Sequence, residues 1–191
     1  PYEDKAAKDK VRYEKEKAAL KAGKVVRQEL ETSRQKGFYG GTGWAIVNAD
    51  PDVIWNALLD FGTYHKIFSN TEEVKEISRK GNRRLIRITI GHPILGMTNH
   101  VEMRENRKKG VLSFKLVPNH QHDLEGIRGY WRLFPQNDGT TLVAYVVAID
   151  APMGLVNLVG KKLEGMAISS LLGLPGDIKA WVEGPEGEKY K

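Results

Sequence analysis

The chain has 191 residues, 40% of them hydrophobic and 28% charged, no cysteine, and a formal charge of +6. That composition fits one globular domain plus some extra chain. It excludes disulfides, thiolate metal sites and cysteine nucleophiles.

The positive charge is concentrated at the N terminus. Residues 1–36 hold eleven Lys/Arg against seven Asp/Glu, so the remaining chain is nearly neutral. A high isoelectric point produced by one arm is weak evidence for nucleic acid, and no nucleic-acid partner is expected. No run of about 18 apolar residues occurs, so nothing reads as a membrane-spanning helix. No signal peptide is visible. The chain begins at Pro1 and not at Met, which fits a leader or upstream region having been removed. A soluble protein of cytoplasm or periplasm is the expectation.

Tyr2–Leu30 reads as a charged helix, rich in Glu, Lys, Arg and Ala, with Gly23 as a break. Its apolar residues are few (Tyr2, Ala6, Val11, Tyr13, Ala18, Leu20), so it has little to bury. The segment from Pro1 to Lys17 resembles the last helix of an HMG box. The two helices that wedge into DNA are absent, and a solvated arm, a linker or a fusion remnant is the preferred reading.

Phe38–Asn48 (FYGGTGWAIVN) predicts a first strand. Asp50-Pro51-Asp52 then opens a helix, with Asp50 as cap and Pro51 in the first turn. Val53, Ile54, Trp55, Leu58 and Leu59 form its buried stripe, and Phe61–Phe68 continues as a short second helix. Four strands follow, at Glu73–Arg79, Arg83–Ile90, Met97–Glu105 and Val111–Val117. A last hairpin joins Ile127–Phe134 to Thr141–Ile149 across Asn137-Asp138-Gly139. That makes about seven antiparallel strands.

Alternation assigns the faces. Ile86, Ile88 and Ile90 share a side with Val101 and Met103, with Leu112, Phe114 and Leu116, and with Ile127, Trp131 and Leu133. The last strand is apolar on both faces. Its bulkier set, Val143, Tyr145, Val147 and Ile149, is placed inside. Asn99 and Tyr145 are then the polar groups on an apolar inner wall. From Met153 to Val182 apolar residues recur at helical steps, including Leu163 and Met166, with Ser170 as the one polar member. Gly173-Leu174-Pro175-Gly176 must break this helix, with a second helix starting at Asp177. A hairpin feeding a long terminal helix predicts an α+β helix-grip fold: a curved antiparallel sheet wrapped around a C-terminal helix. Such a shape leaves a cavity between sheet and helix.

No motif for strong chemistry emerges. The histidines are His65, His92, His100, His120 and His122. His120-Gln121-His122-Asp123 lies in a loop and reads as exposed polar chain before it reads as a metal site; His100 is placed on the outer, solvated face. Gly40-Gly41-Thr42-Gly43 lacks the Lys and the following helix of a phosphate loop. The turn-rich loop around His92, Pro93, Ile94 and Leu95 holds two large aliphatic residues. It is read either as folded onto the core or as a ligand gate with transient membrane contact.

With these elements in place, the chain from Gly37 to Gly184 resembles the START-like superfamily, also called SRPBCC. The resemblance is carried by WAIVNADPDVIWNALLDFGTYHKIF, NTEEVKEISRKGN, GYWRLFPQNDGTTLVAYVV and the long final helix. That superfamily includes polyketide cyclases, lipid-transfer START domains and coenzyme Q-binding proteins. The Gly-Leu-Pro-Gly break departs from its usual single long helix. The domains read as an arm at 1–36, a START-like body at 37–184 and a tail at 185–191.

The scarcity of acid–base groups on the inner wall points to a non-enzymatic binder or carrier of a lipid, isoprenoid, quinone or polyketide, with no cofactor and no metal. The expected lining is Ile86, Ile88, Ile90, Asn99, Val101, Met103, Phe114, Trp131, Tyr145, Val147, Leu163, Met166 and Ser170. The alternative is a cyclase or aromatase, with Tyr145, Asn99 and the His120/His122 loop as its polar groups.

Overall fold

The computed structural model describes residues 14–29, 38–91, 96–152 and 166–191. Residues 14–21 form helix α1, which ends in a turn at Ala22-Gly23. Eight strands follow: β1 (Val26–Glu29), β2 (Phe38–Val47), β3 (Thr71–Lys80), β4 (Arg83–Ile90), β5 (Met97–Asn106), β6 (Val111–Leu116), β7 (Gly126–Pro135) and β8 (Thr141–Asp150). They make one antiparallel sheet in the order β1-β2-β8-β7-β6-β5-β4-β3. Between β2 and β3 lie α2 (Pro51–Leu59), a 3-10 turn (Phe61–Thr63) and α3 (Tyr64–Ile67). Residues 166–171 form α4 and Leu174–Glu183 form α5.

The strands fall within two residues of the positions that alternation predicts. The exception is β1. Val26–Glu29, expected inside the charged helix, pairs with β2 from Val26↔Trp44 to Glu29↔Gly41. It carries one buried apolar side chain, Val26. The unpaired edge of β2 supplies what the segment's own sequence lacks, and backbone pairing overrides helix propensity. The sheet therefore has eight strands and not seven. The helical readings for residues 2–13 and 153–165 lie outside the described residues.

Asp50 caps α2 by accepting from the Asp52 N–H at 2.8 Å, with Pro51 in the first turn. α2 buries Val53, Ile54, Trp55, Ala57 and Leu58. The C-terminal break is present but displaced. Leu172 and Gly173 form the turn, and α5 starts at Leu174, not at Asp177. Pro175 sits in the first turn of α5, where its missing N–H has no intrahelical acceptor to lose.

α5 packs on β2, β8, α2 and α3. A Cβ on Gly43 would stand 2.0 Å from the Leu172 carbonyl oxygen, so only glycine lets the α4–α5 turn lie this close to β2. Lys179 Nζ donates to the Ile46 carbonyl at 2.8 Å and to Glu183 Oε1 at 2.6 Å. The last residues, Pro185–Tyr190, form a 3-10 helix folded back on the molecule. There Tyr190 OH and Lys189 Nζ both donate to Asp60 Oδ2 at 2.8 Å.

Candidate functional site

The inner face of the sheet divides into two halves. The half toward the β3–β4, β5–β6 and β7–β8 turns is sealed. Ile86, Val101, Met103, Leu112, Trp131, Leu133, Val143 and Tyr145 are buried there, in one core cluster with α2, α3 and α5. A charged triad closes this half: Arg84, 9% exposed, donates to Glu105 Oε1 at 2.6 Å and to Glu76 Oε2 at 2.7 Å. Burial alone would lower the Arg84 pKa, but the two carboxylates outweigh it and raise it.

The other half, toward Gly91 and the β6–β7 loop, is apolar but only partly buried. Ile88 and Ile90 of β4, Met97 of β5, Phe114 and Leu116 of β6, Ile127 of β7 and Ile149 of β8 are all half-buried. Ile90 pairs directly with Met97 and Ile127 with Ile149, while Leu116 lies opposite buried Val101 and Phe114 opposite Gly129. Several large aliphatic side chains on one concave face, none fully covered, form the kind of apolar surface that takes a ligand.

Aromatic rings line the boundary between the halves. Phe61, Tyr64 and Phe68 meet edge to face, at centroid separations of 5.5 and 4.9 Å. Phe68 stacks on Trp131 at 6.4 Å, Trp131 meets Tyr145 at 4.4 Å, and Tyr145 stacks on Phe114 at 5.8 Å. Gly129 makes room for the last ring, since a Cβ there would lie 2.5 Å from Phe114 Cζ. Tyr64 OH donates to the Leu58 carbonyl at 2.5 Å. No hydrogen bond to the Tyr145 hydroxyl is seen among the described residues. Burial pushes the Tyr145 phenol well above its ordinary value, so at neutral pH it is a donor and not a base.

The β6–β7 loop folds across the start of β5. Asn99 Oδ1, buried, accepts from the Asp123 and Leu124 N–H groups, each at 3.1 Å. Thr98 N–H donates to Asp123 Oδ2 at 2.6 Å, and His100 Nδ1–H donates to the Gln121 carbonyl at 2.8 Å. Leu124 is thereby held buried.

Of the expected lining, the sheet brings Ile86, Val101, Met103, Trp131, Tyr145 and Val147 into the sealed core. Ile88, Ile90 and Phe114 lie in the partly open half. Asn99 faces inward as expected, but its carbonyl oxygen is occupied by loop backbone. Ser170 is exposed on α4 and accepts from Asn70 Nδ2 at 3.2 Å, while Met166 is 62% exposed. Leu163 and the loop residues His92, Pro93, Ile94 and Leu95 lie outside the described residues. His100, expected in solvent, is half-buried and stacks on His120 at 5.0 Å. The Gly40–Gly43 run sits inside β2. No group of three metal-binding side chains converges among the described residues.

Sequence reasoning passed over the rim formed by Asn70. Its carbonyl accepts from the Gly91 N–H at 3.0 Å and its amide reaches Ser170, joining the end of β4 to α4. A polar turn residue carries no local sign of that role. It also passed over Phe61, Tyr64 and Phe68 as members of the aromatic row, although FGTYHKIF shows all three rings. A separate cleft of about 600 Å³, open to solvent, lies between Ala49, Asp50, Asp52, Val53, Arg107 and Tyr190.

The model of the family described as polyketide cyclase / dehydrase and lipid transport matches residues 47–172. The chain belongs to this family. Its curved antiparallel sheet and C-terminal helix form a helix-grip fold. Among solved structures it is similar to the STAR-related lipid transfer protein of Xanthomonas axonopodis, at 12% identity and a TM-score of 0.64 over 84% of this chain and 93% of that one. It is also similar to the Zhui aromatase/cyclase of Streptomyces sp. R1128, at 18% identity and a TM-score of 0.60 over 76% and 94%. A START superfamily protein of Mycobacterium smegmatis aligns at 15% identity and a TM-score of 0.57 over 72% and 94%. No curated protein matches. Among the described residues no helix is long and apolar enough to cross a membrane.

Proposed function

We propose that this family member binds and carries an apolar small molecule, a lipid, isoprenoid, quinone or polyketide, against the partly open half of its inner face. The observation that carries the reading is the row of half-buried apolar side chains from Ile88 to Ile149, bordered where the Phe114 ring stacks on buried Tyr145. Covering about 400 Å² of apolar ligand surface contributes on the order of 10 kcal/mol before ordering costs. Tyr145 would donate one hydrogen bond to the ligand's polar end. The supporting experiment is mass spectrometry of molecules extracted from the purified protein, paired with uptake of a fluorescent fatty acid. The reading predicts an apolar molecule in the extract and saturable uptake. An empty extract together with no uptake would overturn it.

A second reading, a cyclase or aromatase, draws on the same Tyr145 hydroxyl, which could protonate or hold a carbonyl of a bound chain. Its raised pKa suits a donor, and among the described residues no basic side chain belongs to the apolar row. The carrier reading is therefore preferred. A turnover product that vanishes in Tyr145→Phe while affinity survives would reverse the order.

A further inference from the structure

The end of the sheet opposite the partly open half is strongly basic. The β3–β4 and β5–β6 turns lie side by side there and present Lys80, Arg83, Arg104, Arg107, Lys108 and Lys109, all exposed. The arrangement is rigid. Glu105 N–H donates to the Asn82 carbonyl at 2.8 Å, and Asn82 Nδ2 returns a bond to the Glu105 carbonyl at 3.1 Å. Asn106 Oδ1 accepts from the Lys109 N–H, fixing the Arg107–Lys109 turn. On the adjoining outer face of β7, Tyr130 is 38% exposed between Arg128 and Arg132, and Arg132 lies over the Phe134 ring at 4.6 Å.

We propose that this basic edge is a docking surface for a protein partner with a carboxylate-rich surface. Charge complementarity argues for the sign. Lys80, Arg83, Lys108 and Lys109 hold no ion pair among the described residues, so four cations of this edge remain for a partner. Exposed Tyr130 and Arg132 beside this edge are of the residue types that carry protein–protein affinity.

The interleaved carboxylates argue against a continuous phosphate chain. Glu102 takes Arg104 at 2.8 Å and Lys115 at 3.9 Å, and Asp52 takes Arg107 at 2.8 Å. A nucleic-acid backbone crossing this edge would meet those anions, whereas a protein can place its carboxylates between them. A bilayer is disfavoured by position: a membrane exchanging an apolar ligand must face the open half, which lies at the other end. That last step rests on the ligand-binding reading above.

The test measures fluorescence anisotropy of a labelled 20-residue Glu/Asp-rich helical peptide. A 20-nucleotide single-stranded DNA and vesicles containing phosphatidylglycerol are run in parallel. The wild-type chain is compared with Arg83→Glu/Lys108→Glu/Lys109→Glu and with Tyr130→Ala. The peptide is expected to bind, to lose at least tenfold affinity between 50 and 300 mM salt, and to lose at least tenfold in the charge-reversed variant and severalfold in Tyr130→Ala. Uptake of the fluorescent fatty acid should be unchanged in both variants, which separates this proposal from the ligand-binding one. Tighter binding of DNA or vesicles than of peptide through the same residues would overturn the proposal. So would peptide affinity that ignores the charge reversal in a variant with unaltered circular dichroism.

Discussion

Asn99→Leu separates a structural role for this residue from a ligand-binding one. In the fold, Asn99 Oδ1 is the shared acceptor of two loop N–H groups, at 3.1 Å each. Leucine keeps the volume and removes the acceptor. The Leu124 N–H is buried and would be left without a partner, a loss of about 1–3 kcal/mol. The Asp123 N–H is only partly buried, so water recovers some of its bond. The sum is about 3 kcal/mol, or roughly 6–12 °C in Tm for a chain of this length. The assays are urea unfolding with the midpoint as readout, and hydrogen exchange at residues 121–125. The account predicts a lower midpoint and fast exchange confined first to that loop. Unchanged stability and loop protection, with affinity for the fluorescent fatty acid reduced, would refute the latch and return Asn99 to the ligand.

Tyr145→Phe should weaken binding of a ligand bearing a carbonyl or carboxyl by about 1 kcal/mol, near fivefold, and leave the fold intact; titration of the fluorescent fatty acid checks this. Trp131→Ala empties the centre of the aromatic row and should cost about 3–5 kcal/mol in urea unfolding. Burial is the largest single influence on Asp60 and raises its pKa, but the hydrogen bonds from Lys189 and Tyr190 and the Lys189 charge together outweigh it and hold the carboxyl below its ordinary value. A depressed folded-state pKa adds stability that is present above the unfolded value, near 4, and lost as pH falls through the folded value. Asp60→Asn should therefore lower Tm at pH 7 and flatten its decline between pH 4 and 2. Equal acid limbs in the two proteins would count against this. Deleting residues 1–23 should leave the sheet and ligand uptake intact, whereas extending the cut through Glu29 should lower stability by removing β1; circular dichroism melts distinguish the two.

Most of the sheet was readable from side-chain period, because β4 to β7 each bury one face against the helices and alternate accordingly, whereas β8, apolar on both faces, was placed by its bulkier set. β1 was not, because Val-Arg-Gln-Glu holds a single apolar residue and its strand geometry is imposed by the edge of β2. The helix break was foreseen at Gly173–Gly176, but Pro175 tolerates a helix start before it, which moved α5 three residues upstream. For the site, the inward set including Ile88, Phe114 and Tyr145 followed from alternation. The division into sealed and partly open halves did not, since it depends on how far α2, α3 and α5 reach along the sheet. The role of Asn99 was hidden because its partners lie some 24 residues away in a loop of little pattern.

The claim that an apolar ligand sits on the partly open half is tested most directly by methyl NMR of isoleucine-labelled protein titrated with an unlabelled fatty acid. The account predicts saturable shifts at Ile88, Ile90, Ile127 and Ile149, with Ile54 and Ile178 of the sealed core unmoved. Shifts confined to the outward Ile46 and Ile77, or no shifts at saturating ligand, would contradict it.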